Sequence, residues 1–304
     1  MAGASGSTMV TGRWRDYAGA YAFLLPNIIG FVAFILGPVI VSLLLSFCDW
    51  ELITGLEGIR WAGLANYRAL MHDPEFWYYL YNTVYLMLVI PFSMAGSLVI
   101  AILLNQKMRG TTFFRTVFFL PSMCVPVAVF LLWKWMFNTD AGLINRALET
   151  IGIEGPNWLR DPAWARTAIM ITLFWMSIGG ANMVLYLAGL QGVSRELQEA
   201  AEIDGASPLQ RFFAVTWPSL HPTTFFIFIT SLIGAFQGNF EGPYMMTEGG
   251  PAGATTTIVY YIYNNAFAFF KMGYAAAIAW VLFVVILVVT VLNWRLVEGK
   301  IGYH

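Results

Sequence analysis

Six stretches of the 304-residue chain contain no Asp, Glu, Lys or Arg and are long enough to cross a bilayer. They are Tyr21–Phe47, Phe76–Leu104, Thr116–Trp133, Thr167–Leu190, Pro222–Phe240 and Met272–Trp294. A crossing helix needs about 20 predominantly apolar residues. An open sheet would strand its backbone amides and carbonyls in lipid, so all six read as helices. Composition agrees: the chain is 59% hydrophobic and 11% charged, against about 45–50% and about 25% in soluble domains. An all-α integral membrane protein in a lipid bilayer follows. The net charge of -1 argues against a nucleic-acid partner.

Lysine and arginine in short loops orient such a chain. Asn105–Thr116 carries Lys107, Arg109 and Arg115 and no acid, which places it in the cytoplasm. Six crossings then put both termini on that side, with Arg13 and Arg15 in a tail over residues 1–20 and Lys300 in a short end over 297–304. The tail has no short apolar core with a cleavage site and reads as cytoplasmic rather than as a signal peptide. Eleven of the seventeen carboxylates fall in the opposite loops, while total lysine plus arginine divides only nine to seven. Trp50, Trp61, Trp77, Trp133, Trp135, Trp158 and Trp164 gather on the outer side and read as an interfacial belt. Cys48 and Cys124 read as packed thiols. His72, His221 and His304 are isolated, so no metal site is expected.

The longest cytoplasmic loop, Gln191–His221, holds two arginines against four acids. That is the reverse of what orientation requires, so the loop needs another role. Ser194 can cap a helix whose first turn carries Glu196. Leu197, Ala200 and Ala201 share one face of it, and Glu196, Glu199 and Glu202 another. Gly205 permits the left-handed turn that ends it. Ser207, Pro208 and Gln210 then read as N-cap, first-turn proline and capping-box residue of a second helix running to Pro218. A lipid-surface helix would be rich in lysine and arginine instead.

The residues Glu199-Ala200-Ala201, then Gly205, Val215 and Pro218, resemble the EAA loop of ABC-importer permeases, with Trp217 where that family usually has leucine. Phe23–Trp50, Phe113–Asn138 and Gly249–Ala279 resemble the carbohydrate-uptake branch, the MalF-like permeases. The similarity extends over nearly everything from Tyr21 to Arg295. It implies an ABC type I importer permease fold in the bacterial inner membrane, with a permease domain over 21–296 and a coupling helix within 191–222. It further implies a second, MalG-like permease subunit, two ATPase subunits carrying ATP and Mg, an extracytoplasmic solute-binding protein and a saccharide substrate. No cofactor is implied on this chain. By the same resemblance Glu199, Ala200, Ala201, Gly205 and Pro218 form the coupling contact, Glu199 against a basic residue of the ATPase.

Polar side chains within the spans are costly against lipid and should face the interior. Ser177 and Asn182 stand in the fourth span; Ser231, Gln237, Asn239 and Glu241 stand in or at the end of the fifth, with Phe236 and Phe240 between them. Amides and carboxylates can hydrogen-bond sugar hydroxyls, and rings can cover C–H faces. The alternative for each is helix–helix bonding. Gly234, Gly238 and Gly242 recur at the four-residue spacing of close helix packing. Gln237 and Glu241 share a face from which Asn239 is about 200° away on a regular helix. So either Asn239 alone faces the path or the helix opens near Gly238; the resemblance favours Asn239 as the principal contact. No basic residue lies inside a span, which favours a neutral saccharide.

An ion-coupled secondary transporter would place ionisable residues within its spans, and here they are missing. The sequence also has no H-E-x-x-H and no G-x-x-x-x-G-K-[ST], so neither that protease chemistry nor a phosphate cradle belongs to this chain. The reading is a permease subunit rather than an enzyme.

Overall fold

The computed structural model describes residue 21 and residues 23–106 and 109–298. Arg13, Arg15, Lys107, Lys300 and His304 lie outside the described residues. Helix α1 (Phe23–Ser46) leads into a two-stranded ribbon in which β1 (Cys48–Asp49) pairs antiparallel with β2 (Arg60–Trp61). After α2 (Ala65–Met71) comes α3 (Pro74–Asn105). Next are α4 (Thr111–Met123), α5 (Pro126–Met136), α6 (Leu143–Thr150), α7 (Pro162–Ser177) and α8 (Ala181–Gln191). The chain then forms α9 (Arg195–Ile203), α10 (Pro208–Ser219) and α11 (His221–Gly238). It closes with α12 (Ile258–Tyr263) and α13 (Met272–Glu298).

By length and composition α1, α3 and α13 can each cross a membrane unaided. The others qualify only as bent pairs: α4–α5 at 95°, α7–α8 at 43° and α10–α11 at 64°, which gives six crossings if each pair is one. The third stretch, expected as one helix over Thr116–Trp133, is therefore broken. Pro126 has no N–H and disfavours a helical residue before it, and Cys124 and Val125 are extended. Cys124 at this break is exposed, against the packed thiol expected there, whereas Cys48 is buried.

Helix α3 runs through the middle. Its Leu98, Ala101 and Leu104 pack with Met183, Tyr186 and Leu190 of α8, Ile227 of α11, Ile258 and Tyr261 of α12 and Ile278 of α13. A second core joins Val129, Phe130 and Trp133 of α5 to Phe137, Trp158, Ala168 and Ile169 of α7, and Met246. Trp133 and Trp158 thus belong to packing, with rings tilted against Phe137, while Trp61, Trp77, Trp135 and Trp164 are exposed as a belt requires. Two aromatic residues near a boundary look alike in sequence; what divides them is which helix face meets α7.

Asp73 caps α3 and accepts an amide hydrogen bond from Glu75 at 2.9 Å. The same carboxylate accepts the hydroxyls of Tyr261 at 2.6 Å and Tyr274 at 2.7 Å, tying the start of α3 to α12 and α13. Burial pushes the Asp73 carboxyl up, but these hydroxyls and the amides of Glu75 and Phe76 outweigh it, so the group titrates below its ordinary value. Burial and the adjacent carboxylate push the Tyr261 hydroxyl up.

Close crossings are set by glycine. A Cβ at Gly179 would overlap the Phe118 carbonyl oxygen, whereas nothing lies within 4 Å of one at Gly234. Gly179→Val should lower the thermal stability of the purified chain in detergent by about 1–3 kcal/mol. Gly234→Ala should hold or raise it, by up to about 1 kcal/mol from helix propensity; equal melting shifts for both would contradict the packing. A depressed carboxyl stabilises the fold above its ordinary range and loses that contribution as pH falls through the folded value. Wild type should accordingly lose stability below about pH 4 more steeply than Asp73→Asn, as melting curves against pH would read.

Candidate functional site

Two regions hold the residues singled out from the sequence: the polar hairpin α9–α10 and the end of α11. In the hairpin every cap forms as expected. The Ser194 hydroxyl accepts from the Leu197 amide at 3.3 Å, and Gly205 turns left-handed with φ of 79°. Ser207 and Gln210 make the reciprocal capping box, with Pro208 in the first turn. Arg211 pairs with Glu202 across the turn. The second helix loosens into a wider π turn over Phe212–Thr216 before Pro218.

Glu199 and Ala200 are exposed on α9 and Ala201 is half-buried. Beside them the hairpin shows four large apolar side chains to solvent: Leu197 at 57% exposure, Ile203 at 86%, Leu209 at 68% and Phe213 at 60%. Ile203 and Leu209 were missed in the sequence; their signal was two large aliphatics inside an acidic loop. Ile203 stands one turn beyond Glu199, so a carboxylate and an aliphatic present together.

At the other end of α11 the helix stops at Gly238. Asn239 leaves helical geometry with φ −84° and ψ 51°, and its carbonyl oxygen accepts the Thr257 hydroxyl at 2.6 Å. Of the two arrangements open from the sequence, the helix opens. Gln237 is exposed and Glu241 half-buried, whereas Asn239 is 7% exposed and Phe236 3%. Gly234 and Gly238 face open space; of the three spaced glycines Gly242 alone is tightly packed, against Phe130.

The opened end is held by residues that the sequence reading did not single out. The Asn82 amide of α3 donates to the carbonyls of Gly253 and Thr256 at 2.9 and 3.0 Å. The Thr83 hydroxyl accepts the Ile258 amide at 3.0 Å. Arg166 of α7 donates to the Ala254 carbonyl at 2.8 Å and lies against the rings of Tyr78, Tyr81 and Tyr85. These contacts fix the loop of residues 249–257 and, through Thr257, the Asn239 turn. The sequence signal was the adjacent polar pair Asn82 and Thr83 in the second apolar run.

Phe240, Tyr244, Tyr260 and Tyr263 form a ring cluster beside the turn, with centroids from 5.0 to 6.4 Å apart. In the fourth crossing, Ser177 donates to its own helix at Leu173, and Asn182 reaches the Ser231 hydroxyl at 3.5 Å. Both are engaged in packing in the isolated chain. Among the described residues no group of three or more His, Cys, Asp or Glu could hold a metal.

Comparison with known proteins accounts for this arrangement. Residues 93–299 match the family described as binding-protein-dependent transport system inner membrane component. The lactose transport system permease protein LacF of Rhizobium radiobacter is 40% identical over 290 residues, which span 93% of each chain. The sulfoquinovosyl glycerol transport system permease protein SmoG of Agrobacterium fabrum is 35% identical, covering 95% of this chain and 94% of its own. A bacterial ABC transporter involved in import of the acidic polysaccharide alginate has the same fold, with a TM-score of 0.83 at 24% identity and coverage of 96% and 98%. The chain belongs to the binding-protein-dependent transport system inner membrane components, as an ABC-importer permease of the carbohydrate-uptake kind and not an enzyme.

Proposed function

We propose that the chain forms half of the translocation path of an ATP-driven importer for a saccharide or related polyol. The family places it in the inner membrane and makes its transport dependent on a binding protein. The names of its relatives, which include lactose and sulfoquinovosyl glycerol permeases, support a sugar-like solute. A second permease subunit would supply the other half, and two ATPase subunits would bind ATP and Mg. Both termini, and with them α9–α10, would face the cytoplasm.

The observation that carries the coupling role is the α9–α10 hairpin itself. It is capped at every end, turned at Gly205, and shows Glu199, Ala200 and Ile203 outward. Such a knob fits a groove on the ATPase, with Glu199 paired to a basic residue there. Solute would pass along the open face of α11. Gln237 is exposed, Asn239 lies at the floor of the turn, and Glu241 flanks it. Phe236 sits behind, while Ser177 and Asn182 hold the neighbouring crossing in place.

In the assembled importer, Glu199→Lys and Gly205→Val should each reduce solute-stimulated ATP hydrolysis by about tenfold, the scale of a coupling free energy of 1–3 kcal/mol. Gly205→Val acts through the backbone, because a β-branched residue resists the left-handed turn. Stimulated hydrolysis at wild-type levels in both variants would rule out the hairpin as the coupling element. For the path, Gln237→Ala and Asn239→Ala should each weaken uptake about fivefold, one hydrogen bond's worth, in a complex that still assembles. Ser177→Ala should transport normally; the reverse pattern would move the path to the fourth crossing.

A further inference from the structure

Arg115 lies in the second turn of α4, at the end of a segment, Asn105–Thr116, that has three basic residues and no acid. Its guanidinium donates one long hydrogen bond, 3.3 Å, to the Leu104 carbonyl near the end of α3. Among the described residues its Nε is buried without a hydrogen-bond partner, and no carboxylate lies within ion-pair distance. Capping the end of α3 explains part of this position, yet it occupies one of five donors. A buried donor left bare costs about 1–3 kcal/mol, so it calls for a partner.

The guanidinium stands at one end of a groove of about 380 Å³ between α4 and α8. Phe119, Leu120 and Met123 line it from α4, and Met183, Val184 and Leu187 from α8. Met183 and Leu187 form a buried floor, while Leu120 and Val184 are exposed rims. From Arg115 to Met123 is eight residues, about 12 Å along the helix. One end is cationic and the rest apolar, the arrangement that an anionic lipid complements. The basic end adjoins the polar segment and the apolar end runs into the crossing, as a headgroup and its chain would lie.

We propose that this groove binds an anionic phospholipid, its phosphate on Arg115 and the upper part of an acyl chain between α4 and α8. The guanidinium matches phosphate geometry better than an ammonium would. The site is separate from α11 and the hairpin, so it stands whether or not their proposed roles do.

The test is lipid retention by the full chain assembled with its partner subunits, purified from nanodiscs containing equal phosphatidylglycerol and phosphatidylcholine and read by native mass spectrometry. Wild type should retain phosphatidylglycerol preferentially, and Arg115→Gln should lower that preference about fivefold, the value of one basic residue at a membrane surface. Arg115→Lys should keep part of it. Val184→Trp, which fills the groove from its exposed rim and leaves the charge intact, should also lower it. Equal retention by wild type and Arg115→Gln overturns the proposal. So does loss of the second permease subunit in Arg115→Gln with lipid retention unchanged, because the groove is then a subunit interface. Displacement of the lipid by soluble inorganic phosphate, with Val184→Trp unaffected, would reduce the site to a simple anion contact and overturn the acyl-chain part.

Discussion

Within a bilayer an interrupted helix bares carbonyls and amides that water does not reach, and each is costly to leave unpaired. This chain interrupts its helices repeatedly, and side chains meet the resulting groups. At the break between α7 and α8, the Ser97 hydroxyl of α3 donates to the Ile178 carbonyl at 2.8 Å. At the end of α11, the Thr257 hydroxyl donates to Asn239. Asn82 and Thr83 satisfy the loop that carries Thr257. Three of these four donors and acceptors lie on α3, which explains why that helix is long and central. It is both the packing spine and the source of polar partners for its neighbours' breaks.

How much of this could be read from the sequence depends on the range of the interaction. The hairpin α9–α10 was legible almost residue by residue, because caps, turn glycine and capping box act over three or four positions. The helical, membrane-crossing character of the apolar stretches was legible too, since lipid thickness fixes the length such a stretch needs. The breaks were not. Nothing in the run around Cys124 announces a 95° bend except Pro126, and prolines are tolerated in membrane helices. The opening at Gly238 was one of two arrangements that the spacing allowed; choosing between them needed Thr257, eighteen residues away. Trp133 and Trp158 were misplaced for the same reason, as burial of a ring is settled by a distant helix.

What remains exposed is as informative as what is packed. Helix α1 has no buried residue in its apolar window, and both rims of α4 show aromatic side chains, among them Phe113 at 67% exposure. Gly234 and Gly238 have open space above them. An apolar helix needs lipid or another helix, but a glycine face beside Gln237 gains nothing from lipid. That face suits a neighbour of its own size or a passing solute. A chain that supplies one wall of a path should look this way when alone.

The hairpin and the Asn239 turn lie at the two ends of one helix. Helix α11 spans eighteen residues, about 27 Å, from the hairpin to the Asn239 turn. At its hairpin end the 64° bend keeps its backbone bonds: the Leu220 amide donates to the carbonyls of Thr216 and Trp217, and the Thr224 amide to Leu220 at 2.8 Å. Leu220 is fully buried at the bend, and Trp217 meets His221 edge to face across it. The opposite end is a glycine and a non-helical asparagine, whose carbonyl accepts from Thr257 on the loop that Asn82, Thr83 and Arg166 hold. The hairpin and the Asn239 turn are thus joined by one helix whose bend keeps backbone bonds on both sides.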